Sequence, residues 1–150
     1  MEKIFEKLLR IYQKDMKSHI RIDFLVDKEY TKLVLKTYYC PKYDFDRDRA
    51  TEHIHNCYIE AGRSEDFEQS IVDKALPLAN HIAWSIDSPD AYLGTKHLSW
   101  AFQEHCISEQ ESSYGFLPSP IKAGKWTLTA STNAIVSPYV DIWLVVEGEV

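Results

Sequence analysis

His19-Ile20-Arg21-Ile22-Asp23-Phe24-Leu25-Val26 alternates strictly: Ile20, Ile22, Phe24 and Val26 fall on one side, and His19, Arg21 and Asp23 on the other. Successive side chains of an extended chain point to opposite faces. A period of two with one apolar side therefore predicts a strand that buries one face and wets the other. Beyond a polar turn at Asp27 to Glu29, the segment Tyr30 to Cys40 is rich in Leu, Val, Thr and Tyr and reads as its partner, closed by Pro41.

The same alternation returns further along. Ile82, Trp84 and Ile86 alternate with Ala83 and Ser85 before a break at Ser88-Pro89-Asp90. Trp126, Leu128 and Ala130 alternate with Lys125, Thr127 and Thr129 after the Ala123-Gly124 turn, and Val140, Ile142, Leu144 and Val146 form the inner side of a last strand. Short alternating runs separated by turn residues predict an all-β fold, an antiparallel two-sheet sandwich of jelly-roll type forming one domain over residues 1–150.

Two stretches run against this pattern. Ile4, Phe5, Leu8, Leu9, Tyr12 and Met16 recur at helical spacing. Phe67, Ile71, Ala75 and Leu78 do the same, which predicts a short helix near 65–78 with Ser64 as N-cap and Pro77 past its end. Tyr43 to Arg49, with its mixed charges, reads as a solvated loop.

Composition narrows the function classes. Of 150 residues, 45% are hydrophobic and 27% charged, ordinary for a soluble domain; such a chain buries roughly 70% of its unfolded surface without help from metal or disulfides. The formal net charge of -6 argues against nucleic acid as a partner, since that binding rests on clustered Lys and Arg. No apolar run is long enough for a bilayer, and Met1 onward does not read as a signal peptide. Cys40, Cys57 and Cys106 are odd in number and widely spaced, so the expected setting is cytoplasmic with reduced thiols.

The second half carries the most specific text. Ile86-Asp87-Ser88-Pro89-Asp90-Ala91-Tyr92-Leu93-Gly94 is similar to a strand followed by D-P-x-G-x-x-R-G. Ser113-Tyr114-Gly115-Phe116-Leu117-Pro118-Ser119-Pro120-Ile121-Lys122-Ala123-Gly124-Lys125-Trp126-Thr127-Leu128 is similar to s-x-G-[FY]-L-P-G-P-I-x-x-G-x-W-x-[VIL]. Together with Ile11 to Lys42, these stretches resemble the N-terminal β-sandwich domain of CehA/McbA-type PHP metallohydrolases, here as a stand-alone protein. The likeness spans about two thirds of the chain and leaves Tyr43 to Ala79 outside it. It implies a sandwich and makes residues 8–12 a strand despite their helical spacing, with 1–7 left open as helix or strand. The sequence departs from that pattern at Leu93, where an arginine is usual, and at Ser119, which replaces a glycine and so restricts a position that favours positive φ.

Several residues could carry chemistry. His53-Ile54-His55-Asn56-Cys57, if extended, presents two imidazoles and a thiol on one side, a set competent for zinc, with His81 as a further ligand. It echoes an H-x-H metal motif, but neither its flanks nor the chain remaining after Cys57 suit a PHP site. His105 and Cys106, as neighbours on a strand, point to opposite faces and cannot pair as base and nucleophile. No phosphate-binding loop or nucleophile elbow occurs. Among the aromatic residues, Trp84 and Trp126 belong on inward faces; Trp143 falls opposite Ile142 and Leu144; Tyr92, Tyr114 and Phe116 sit in or beside turns. Tyr92, Tyr114, Phe116 and Trp143 are thus the candidate ligand contacts.

The expectation is a non-catalytic binding or scaffolding module without cofactor or catalytic residues. Its partner would be a protein or small ligand, neither nucleic acid nor membrane, and the resemblance associates it with a PHP-type phosphoesterase. The alternatives are a metal-binding protein or metal-dependent hydrolase using His53, His55 and Cys57, and a structural homo-oligomer built on an edge strand or the Trp143 face.

Overall fold

The computed structural model describes all 150 residues. Its strands are β1 (Glu2–Tyr12), β2 (His19–Val26), β3 (Lys32–Cys40), β4 (Tyr43–Asp44), β5 (Leu78–Ala79), β6 (His81–Asp87), β7 (Tyr92–Lys96), β8 (Phe102–Ser108), β9 (Gly124–Ala134) and β10 (Tyr139–Glu149). Two helices, α1 (Arg47–Glu60) and α2 (Gln69–Ala75), lie between β4 and β5.

Eight strands make two four-stranded antiparallel sheets, ordered β1-β10-β3-β8 and β2-β9-β6-β7. Setting aside the small β4-β5 ribbon, the first strand pairs with the last, the second with the next to last, and so inward to the β6-β7 hairpin. That nested pairing is one long hairpin rolled over on itself, the topology of a jelly roll. The inward residues read from the alternation, Ile22, Phe24, Val26, Trp84, Ile86, Trp126, Leu128, Val140, Ile142, Leu144 and Val146, all join one core between the sheets.

The N-terminus is a strand over its whole length rather than a helix, because β1 finds a full-length partner in β10, from Glu2 opposite Gly148 to Tyr12 opposite Tyr139. Ladder pairing overrides the local helical spacing. The helical insert differs from expectation in two ways. Ser64 does not cap a helix: Ser64–Asp66 form a separate 3-10 turn, and α2 begins after Glu68. It stops at Ala75 because Leu76, preceding Pro77, is held extended. The solvated loop expected over 43–49 is instead β4 and the start of α1, whose N-cap Asp46 accepts the Arg49 backbone N–H. Asn80 fastens this insert to the sandwich: fully buried, it accepts from the Val136 N–H and donates to the Pro41 carbonyl and the Ser137 hydroxyl.

A jelly roll has two flanks where sheet edges meet. At one, the segment 109–123 stitches β8 to β7: Ser113 N–H donates to the Cys106 carbonyl, and Leu117 N–H to the Leu93 carbonyl. Phe116 drops between the sheets there, 6% exposed, with its ring edge-on to His105. At the other flank, β1 and β2 are joined by the stacked rings of Phe5 and Phe24, 5.5 Å apart, and by Glu2, which accepts from Lys28 and from the Tyr30 hydroxyl just past β2. The exposed edge of β1 carries Glu2, Lys3, Glu6, Lys7 and Arg10, charges that oppose pairing with a further strand. No helix is long and apolar enough to cross a membrane.

Candidate functional site

With both flanks closed, the largest run of apolar side chains left in solvent lies on the outer face of the first sheet. Inward and outward residues alternate, so the residues opposite one another across β1, β10, β3 and β8 form rows. One row reads Leu8, Trp143, Tyr38 and Phe102. Leu8 is 75% exposed, Tyr38 42% and Phe102 49%, and Trp143 is half-buried at the centre. Four large apolar residues in register across the middle of a solvent-facing sheet contradict the polar-out pattern of such surfaces.

Polar groups fix this row from both sides. The Trp143 indole N–H donates to Glu6 Oε1 at 2.8 Å. Glu6 pairs in register with Val145, which faces the same side yet is only 3% exposed, so the indole leans along the sheet towards that valine. Hydrogen bonds from Lys3 and then from Trp143 hold the Glu6 carboxyl below its usual range. On the other side, Arg10 makes a two-pronged contact with Asp141, 2.7 and 3.0 Å, and lies 3.9 Å above the Tyr139 ring. This keeps Asp141 ionised well below the ordinary carboxylate range. Lys36 pairs with Glu147 at 2.9 Å. A shallow groove of about 370 Å³ runs over Leu8, Arg10 and Asp141. Tyr12 and Tyr139 extend the apolar surface at one end, and Trp100, in the turn before β8, is exposed.

The structure separates the expected ligand contacts. Trp143 is at the centre of this face. Tyr92 and Tyr114 are exposed at the β7 edge of the other sheet, Tyr92 with its hydroxyl against Thr95 and Tyr114 with its ring 4.8 Å from Lys96 Nζ. Phe116 is a correction: it is a core plug, not a surface contact, because the turn that carries it folds inward between the sheets. Trp84 and Trp126 are core residues. Tyr38, Leu8 and Phe102 were absent from the candidates, although each occupies an outward position opposite Trp143; only the register reveals that they form a row.

The metal alternative also needs correction. His53, His55 and Cys57 lie on α1, not on an extended segment. A helix turns about 100° per residue, which sends His53 and His55 to different sides. His53 Nε2 lies 3.0 Å from the Val136 carbonyl and also contacts Gln13; His55 stacks on Phe67; Cys57 is exposed. His81 starts β6, where Asn133 approaches its Nδ1 and burial lowers its pKa. No three His, Cys, Asp or Glu side chains converge as metal ligands. His105 points inward with Nε2 2.9 Å from Gln103 Oε1, and Cys106 lies on the other face beside Ser113.

These features define an eight-stranded jelly-roll sandwich with an aromatic sheet face. No family model matches the chain, and no curated protein does. Among solved structures, a crystal structure of a protein from Sulfurospirillum deleyianum is similar, at 10% identity and a TM-score of 0.35, covering 95% of this chain and 98% of that one.

Proposed function

We propose that this protein is a non-catalytic scaffolding module that docks another protein surface on the outer face of its first sheet. The observation that carries this reading is the solvent-facing row Leu8-Trp143-Tyr38-Phe102. Exposed aromatic residues with an arginine beside them are the composition of interface centres. The flat shape of the face suits another flat surface better than an enclosed small molecule. The resemblance carried by residues 86–94 and 113–128 supports a PHP-type phosphoesterase as the associated enzyme, and the three widely spaced cysteines support a cytoplasmic setting.

A PHP-type metallohydrolase catalytic domain, titrated as a separate chain, is the test. The expected result is a complex in sedimentation velocity that Trp143→Asp weakens at least about tenfold. A complex equally tight for wild type and variant would sink the role of this face, and absence of a complex would sink the enzyme association.

A further inference from the structure

We propose that, while no enzyme is docked, this face is covered by the same face of a second copy of the chain, which the enzyme displaces on binding. The inference rests on the docking reading above and adds what covers the face in the free protein.

Three observations point to a second copy. First, three of the four sheet edges are blocked. The β7 and β8 edges are stitched by 109–123 and the β1 edge is lined with charge, while the β2 edge offers only Leu25 beside Arg21 and Asp23, a smaller apolar surface than the face.

Second, the size is right. Strands about 4.8 Å apart and four rows of outward residues span about 500 Å² on each copy, about 1,000 Å² in total. That reaches the lower bound for a specific interface of moderate strength. Two sheets packing face to face also reproduce an arrangement this protein already uses in its core.

Third, the charges are self-complementary. In an isologous dimer the two-fold axis lies in the interface. Laid along the row Leu8-Trp143-Tyr38-Phe102, it sets each of these residues against its own counterpart and exchanges the flanking rows. On β1 those flanking positions are Arg10 and Glu6, so Arg10 meets the partner's Glu6, twice by symmetry. On β3 they are Cys40 and Lys36, and on β10 Asp141 and Val145. At none of these positions does a charge meet one of its own sign. An axis along the strands instead puts Glu6 against the partner's Glu104, so the charges select the first arrangement.

The test uses the full chain in sedimentation equilibrium from about 1 to 200 µM, a range suited to an interface of this size. The expected result is a reversible dimer. Trp143→Asp and, independently, the exposed-edge change Phe102→Ser each raise its dissociation constant by about tenfold or more, with far-UV circular dichroism confirming the fold. Arg10→Glu and Glu6→Arg each weaken the homodimer, and an equimolar mixture of the two variants restores association, since every charge then meets its opposite. A wild-type chain that stays monomeric, a dimer indifferent to both apolar substitutions, or a mixture no tighter than its components overturns the proposal. If the wild type is monomeric while Trp143→Asp still abolishes phosphoesterase binding, only the second copy is wrong. If neither assay responds, the docking reading falls as well.

Discussion

Thr37 and His105 both point from the first sheet into the core, and only the histidine has a partner. Thr37 is 2% exposed, and its hydroxyl makes no hydrogen bond. An unpaired buried hydroxyl costs more than the methyl that would replace it, so Thr37→Val should raise stability by about 1 kcal/mol in urea denaturation. A loss of stability would mean the hydroxyl has a partner after all. His105 is held neutral: burial, and the nearby Lys96, push its pKa down to about 4 from 6.5. Between those values the unfolded chain takes up a proton that the folded chain refuses. The contribution is therefore complete above pH 6.5 and is lost as the pH falls through that window, by about 3 kcal/mol in all. Asp44 and Asp141, held low by Arg49 and Arg10, add their loss only at more acid pH, below their ordinary value of 3.8. Stability measured from pH 7 to 4.5 should fall for the wild type and fall by less for His105→Leu, which keeps only the smaller loss at His81; parallel curves would rule this account out.

At the scale of elements, legibility followed how each one earns its place. The strands of the core were readable because burying one face forces a period of two, as in Ile22, Phe24 and Val26. Helix α1 was not, because it buries only Ala50 and so has no apolar stripe to read; its signal was the Asp46 cap followed by Arg49. The N-terminal strand was legible over 8–12 only through the family resemblance and not from its own spacing, since its pairing is with residues more than a hundred positions away. The two stretches that carry the family resemblance meet in space at Gly94 and Gly115. Gly94 has φ +124°, and a Cβ there would sit 2.2 Å from the Gly115 carbonyl oxygen. Gly94→Ala should therefore loosen the 109–123 segment and lower stability by more than about 2 kcal/mol, seen as a lowered melting temperature. An unchanged melt would show that this crossing tolerates displacement. Ser119, where the resemblance leads to the expectation of a glycine, has no positive φ and donates its N–H to the Ser108 carbonyl, so the position does not need glycine here.

On the scale of the whole molecule, the sequence told more about the inside than about the outside. Inward positions are constrained by water on one side and packing on the other, which leaves a pattern. The outer row could not be seen as a row, because Leu8, Tyr38, Phe102 and Trp143 are far apart in the chain and only strand order brings them side by side. Trp143 alone was recognisable, from its position opposite Ile142 and Leu144. The unequal flanks also give the sandwich a direction in which to yield. It is bound like a book: backbone bonds sew the sheets together along the 109–123 spine, whereas between β1 and β2 the fore-edge is held by side chains alone, the Phe5 and Phe24 rings and the contacts of Lys28 and Tyr30 with Glu2. Thermal breathing should therefore part the covers at that fore-edge, with amide hydrogen exchange faster along β1 and β2 than along β7 and β8.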